Sequence, residues 1–223
     1  MEIKGVIFDL DGTLLDSTYV WEGVGAQFLR KNGHVPEIDL NKKILGKSLM
    51  QAAQYLKKAY NLPEDETAIM EEINNLVEEE YLTNIQPKKG VTAVLEDLSR
   101  RNIPMCIATL TDRYLVEAVF KRLGLLHYFK DIITATEVGS GKDRPEIYKK
   151  AAEVLGTKIE NTLVAEDMLY TVQTAKKGGF PVLAIYDVSA DSFKDEIASV
   201  ADIFLLSWKE WTLEEVEKVI QGK

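Results

Sequence analysis

The chain has 223 residues, 46% of them hydrophobic and 28% charged, which suits one α/β domain with a proper core and an ordinary hydrophilic surface. No run reaches the roughly 18 apolar residues that a membrane span needs, and a net charge of −9 opposes binding to nucleic-acid phosphates or anionic membranes. A single cysteine, Cys106, excludes an internal disulfide and fits a reducing compartment, so the cytoplasm is the expected location.

The opening "MEIKGVIF" is short and runs into Asp-Leu-Asp, which is not the pattern of a secretory signal. Residues 3–8 read instead as a buried strand, followed at once by "DLDGTLLDS". Residues 16–83 show helical periodicity without strands, over 19–31, about 40–60 and 64–81. They are expected to form a helical cap domain inserted into a core domain made of 1–15 and 84–223, with hinges near 15–17 and 84–87. The acidic stretch 64–80 reads as a solvated helix face.

From Gly90 onward helices and strands alternate. Helices are expected over 91–102, 112–123, 145–155, 169–177 and 213–221, with Gly124 as a C-cap. Strands are expected over 103–109, 132–136, 162–165 and 181–186, with 202–206 as an edge strand. Near-continuous apolar strands in this alternation predict the α/β class, a parallel sheet covered by helices on both faces. Internal repeats and low-complexity linkers are not evident.

In such sheets ligands bind beyond the carboxyl ends of the strands, so the residues after each apolar run are the ones to scan. Asp9 and Asp11 follow the first run, Thr109 and Thr111 the "PMCIA" run, and Glu166 and Asp167 the "TLVA" run; the "EVGSGKDRP" loop brings Lys142. Asp9, Asp11 and Asp167, with Glu166, can share a divalent cation that offsets their repulsion, and a small oxygen-rich set suits Mg²⁺. Thr109 and nearby backbone N–H groups, that of Leu110 among them, can hold phosphate oxygens that Lys142 neutralises. Gly12 permits a tight turn that aims backbone donors at the site. The chemistry indicated is phosphoryl transfer through a carboxylate nucleophile.

Taken in order, "FDLDGTLLDS", a helical segment, "ATLTD", "GKDRPEIY" and "VAEDMLYTVQTAKKGGF" resemble the haloacid dehalogenase superfamily, in its phosphoglycolate phosphatase and β-phosphoglucomutase-like branch. The resemblance spans nearly the whole chain. It implies a Rossmann-like core with the first strand central, and Mg²⁺ held by Asp9, Asp11, Glu166 and Asp167. It also implies Asp9 as the nucleophile that becomes an aspartyl-phosphate, and Asp11 as the acid that protonates the leaving group and the base that activates water. Thr109, Leu110 and Lys142 are the implied phosphoryl-binding positions. The chain departs from the usual motifs at Met168, Thr171 and Asp143, which touches loop geometry and substrate fit rather than the catalytic groups.

Other readings fail on residue detail. "GSGKD" lacks the first glycine of a phosphate loop, where Thr136 stands, and has Asp143 in place of the Ser/Thr after the lysine. "DLDGTLLD" is not a calcium loop, because Gly12 comes too early and Leu14 and Leu15 cannot ligate. His34 and His127 are the only histidines and fall in turn-like segments, which argues against a histidine triad or zinc site. A signalling receiver domain lacks both a second aspartate two residues on and a helical insertion after its first strand. A non-catalytic phosphate-binding protein is suggested only by Met168 and Thr171, and a true dehalogenase has no use for an aspartate at position 11.

The expectation is therefore a monomeric phosphatase acting on a small phosphorylated metabolite, a sugar phosphate or similar, with a phosphomutase as the alternative. Specificity is expected from the cap, where Trp21, Lys47, Ser48 and Tyr55 are candidates. The mutases of this branch place a histidine twelve residues after the nucleophile; Trp21 stands there and cannot accept a proton, which favours water as the acceptor.

Overall fold

The apolar run at the start of the chain forms β1 (Gly5–Phe8), buried throughout. The computed structural model, which describes residues 2–222, places β1 beside β2 (Met105–Thr109) and β4 (Thr162–Glu166). With β3 (Phe129–Thr134), β5 (Val182–Ile185) and β6 (Ile203–Leu205) they make a six-stranded, fully parallel sheet in the order β3-β2-β1-β4-β5-β6. The expected central first strand and edge sixth strand are both found. β3 begins three residues earlier than expected because Phe129 pairs with Met105. It ends at Thr134, whose hydroxyl caps the next turn and draws Ala135 and Thr136 out of the strand.

Side chains alternate across the sheet with the period of two that a pleated strand imposes. Val6, Phe8, Ile107, Leu163 and Leu183 point into one apolar cluster, while Ile7, Cys106, Ala108, Val164 and Val182 point into the other. Cys106 is a small buried hydrophobe of the second cluster.

Residues 18–83 hold five helices and no strand: α1 (Thr18–Trp21), α2 (Val24–Lys31), α3 (Leu40–Ile44), α4 (Leu49–Tyr60) and α5 (Glu66–Thr83). The sequence suggested three. The left-handed residues Gly23 and Gly46 interrupt the first two periodic stretches, which the apolar pattern alone does not show. α5 packs on α2 and α4 and also on the helix Arg113–Leu123, so its buried stripe of Ile69, Ile73, Val77 and Tyr81 merges with the first sheet cluster. The two connections to the rest of the chain run side by side, with Asp16 N–H donating to the Gln86 carbonyl at 3.0 Å and Lys88 N–H to that of Leu14 at 2.9 Å.

α6 (Val91–Arg100), α7 (Arg113–Leu123) and α12 (Leu213–Gln221) cover the first face of the sheet. Between α7 and α12 in chain order come α8 (Ala135–Val138), α9 (Glu146–Leu155), α10 (Leu169–Lys177) and α11 (Lys194–Val200). α9, α10 and α11 cover the second face. α8 and α11 were not legible in the sequence, the former being a single turn set by a capping box between Thr134 and Glu137. Among the described residues no helix is long and apolar enough to cross a membrane.

Candidate functional site

The direction of chain progression across the sheet reverses between β1 and β4, the position where parallel sheets open a crevice at their carboxyl edge. Asp9 leaves the end of β1 there, and Glu166 and Asp167 leave the end of β4. Carboxylate oxygens of these three buried residues lie within 4.8 Å of one another.

Lys142 reaches the same point from the loop before α9 and is 1% exposed. Its Nζ donates to Asp9 Oδ1 and, at 2.7 Å, to Glu166 Oε1, which also accepts from the Tyr148 hydroxyl at 2.7 Å. Burial works against the Lys142 charge, but the Asp9 and Glu166 carboxylates outweigh it and the pKa is raised. Burial pushes Glu166 up to about 7, with the charge of Asp9 adding to the rise and Lys142 opposing it. Asp167 is raised well above the ordinary range, by burial first and then by the charges of Asp9 and Glu166. One ammonium thus does not balance this cluster.

Asp167 Oδ1 accepts from the Thr13 hydroxyl at 3.3 Å, while its Oδ2 is buried without a hydrogen-bond partner. An orphaned buried carboxylate oxygen beside two more carboxylates, in an all-oxygen set, fits a hard divalent cation. Asp11, expected as a fourth ligand, has its side chain outside this cluster. Its carboxylate accepts instead from Ser17 Oγ at 2.5 Å, from Thr111 Oγ1 at 2.6 Å and from the Tyr81 hydroxyl. Asp11 is partly exposed and faces the cavity. Burial, and next the charge of Asp9, raise its pKa above the ordinary value.

A cavity of about 420 Å³ rises from these groups toward α1–α4. Thr109, Leu110, Trp21 and Lys47 line it. Ser48 is placed differently: its hydroxyl accepts from Gln51 N–H and caps α4, and it is 2% exposed. Tyr55 packs against the large apolar cluster. Met168 caps the start of α10, where its carbonyl accepts from the Thr171 hydroxyl at 2.7 Å, and both departures from the usual motif line the cavity.

Sequence reasoning passed over Tyr81, Ser17 and Tyr148. Tyr81 continues the four-residue apolar spacing of α5 and is fully buried, so its pattern is that of a core residue. Nothing local marks its hydroxyl, which meets Asp11 only after residues 70 positions apart are brought together.

A family model described as haloacid dehalogenase-like hydrolase matches residues 3–179. Fructose-1-phosphate phosphatase YqaB of Escherichia coli is 26% identical over 181 residues, covering 81% of this chain and 95% of that protein. Hexitol phosphatase A of the same organism is 29% identical, over 83% of this chain and 84% of its own. The crystal structure of β-phosphoglucomutase from Clostridium difficile shares the fold, with a TM-score of 0.80, 20% identity, and coverage of 99% and 98% of the two chains.

Gly12 sits between the two loops that carry the acidic groups, with φ +85°, and a Cβ there would lie 2.3 Å from Asp167 Oδ2 and 2.8 Å from Thr18 Cγ2. Gly12→Ala is expected to cost about 1–3 kcal/mol through backbone strain and to displace Asp167. Urea denaturation reads the first effect and calorimetric titration of a divalent cation the second. Wild-type values in both would show that the close approach is not needed.

Proposed function

The chain belongs to the haloacid dehalogenase-like hydrolase family, and from that premise we propose that it is a Mg²⁺-dependent phosphatase of small phosphorylated metabolites, sugar phosphates or close analogues. The observation that carries the reading is the buried Asp9–Lys142–Glu166 array beside Asp167, at the floor of a cavity covered by helices of 18–83. The named activities of the two Escherichia coli relatives support a sugar-derived alcohol. Residues 16–83 act as the cap, and 1–15 with 84–223 as the catalytic core.

In this reading an Asp9 carboxylate oxygen attacks phosphorus in line with the departing oxygen. The P–O bond to the alcohol breaks as Asp11 delivers a proton to that oxygen. Water then attacks the aspartyl-phosphate, giving its proton to Asp11, and inorganic phosphate leaves Asp9 as a carboxylate again. Thr109, Leu110 N–H and Lys142 hold the phosphoryl oxygens, and Lys142 also keeps Asp9 oriented for attack. Asp9, Glu166 and Asp167 would hold Mg²⁺, which supplies positive charge against both the crowded carboxylates and the phosphoryl group.

A phosphomutase is the second reading, favoured by the fold shared with a β-phosphoglucomutase. Trp21 counts against it, because its indole N–H is already donated to the Tyr81 hydroxyl at 2.6 Å and the ring offers no proton acceptor. Incubation with β-glucose 1-phosphate and a trace of glucose 1,6-bisphosphate should release inorganic phosphate if either sugar is accepted. Rapid glucose 6-phosphate formation with little free phosphate would reverse the assignment.

Asp9→Asn keeps the shape and removes the nucleophile, so turnover of p-nitrophenyl phosphate should fall by at least about 10³-fold, given the rate factors typical of covalent and acid–base groups. Near-wild-type activity in that variant would sink the phosphatase reading.

The raised carboxyls of Glu166 and Asp167 give the metal a pH signature. Their folded pKa values exceed the unfolded ones, so their contribution to stability is most favourable at low pH. It is lost as pH rises from about 4 through about 7, the value for Glu166. A cation that needs both groups ionised restores it only on the alkaline side. Millimolar MgCl₂ should therefore raise the melting temperature more at pH 8 than at pH 5. A rise independent of pH would place the ion elsewhere.

A further inference from the structure

Resting on the reading of Asp11 as the acid and base, we propose that Tyr81 is its positioning residue and that Trp21 sets the direction of the Tyr81 proton. The indole of Trp21 can only donate, and it donates to the Tyr81 hydroxyl at 2.6 Å. With that lone pair engaged, the Tyr81 O–H turns to Asp11 Oδ1. Ser17 Oγ donates to the same oxygen at 2.5 Å, so both lone pairs of Oδ1 are taken. Oδ2 receives Thr111 Oγ1 alone, at 2.6 Å, and keeps one lone pair open.

The consequence is directional. Oδ1 is the anchored oxygen, and Oδ2 is the one that carries a proton to the leaving group and takes one from water. The anchor is assembled from two cap helices, Trp21 from α1 and Tyr81 near the end of α5, with their rings 6.2 Å apart edge to face. Tyr81 is itself pinned from the core side, because Arg122 on α7 donates to its backbone carbonyl at 3.3 Å and to that of Ile85. Asp11 is therefore held in one orientation by Ser17, Thr111 and Tyr81, and Tyr81 is the one of these that the indole of Trp21 orients.

The test is a double-mutant cycle with Tyr81→Phe, Trp21→Phe and the pair, assayed on glycerol 1-phosphate and on p-nitrophenyl phosphate. Aliphatic alkoxide needs the proton and p-nitrophenolate hardly does, so kcat for the glycerol ester should fall about tenfold more than for the aryl ester in Tyr81→Phe, the loss of one hydrogen bond to a charged group. Trp21→Phe should shift the same ratio in the same direction but less, and the pair should be no worse than Tyr81→Phe alone. Equal losses on both esters, or independent additive losses, would overturn the assignment, since a merely structural role moves both substrates together. Far-UV circular dichroism checks folding; if Tyr81→Phe does not fold, the ratio in Trp21→Phe decides by the same criterion. A wild-type enzyme inactive on every phosphomonoester would instead sink the phosphatase reading, and this assignment with it.

Discussion

Carboxylates crowded within 4.8 Å of one another and out of solvent are held in place by the ammonium of Lys142. Such an arrangement is costly without a counter-charge, and removing one partner of a buried ion pair typically costs about 3–5 kcal/mol. Strands β1 and β4 must lie side by side for Asp9 and Glu166 to meet, and the loop before α9 must fold back to deliver Lys142. The Tyr148 hydroxyl then shares Glu166 Oε1, so a helix of the second sheet face is tied directly to the acidic cluster. The buried central strands of the sheet are what keep these charges close.

The helices of 18–83 are not a loose attachment to that sheet. Their buried side chains continue the apolar cluster on one sheet face, from Phe28 and Leu56 through Tyr81 to Phe8 and Ile107. Polar ties reinforce the contact: Asn74 on α5 donates to Asp112 at 2.8 Å, and Thr18 donates to Asp187 at 3.0 Å. Asp187 is in turn held by Lys88 at 2.6 Å, beside the second connection, and this lysine keeps its pKa low against the effect of burial. The cavity is closed on one side by these helices and on the other by the sheet edge.

Burial and charge in this site pull in opposite directions on each group. For Lys142 the neighbouring carboxylates win, so it stays an ammonium; for Asp167 they add to burial, so it resists ionisation. The orphaned Asp167 Oδ2 marks where the protein alone leaves the balance incomplete. A site of this kind gives up stability where buried carboxylates lack a full counter-charge.

The sequence by itself determined the sheet and which polar groups stand at its carboxyl edge. Apolar strands followed by polar residues placed Asp9, Thr109, Lys142, Glu166 and Asp167 at one edge, because period-two burial and strand ends are local properties of the chain. Most strand and helix ends fell within two or three residues for the same reason. Only the tertiary structure decided how those groups are partnered. It set Asp11 apart from the acidic cluster and gave it to Ser17, Thr111 and Tyr81. It turned Ser48 from a candidate substrate contact into a helix cap, and broke two periodic stretches at Gly23 and Gly46. A hydroxyl on a core stripe carries no local sign of its partner. Its partner is fixed by the packing of α5 against the sheet, a contact between residues far apart in the chain.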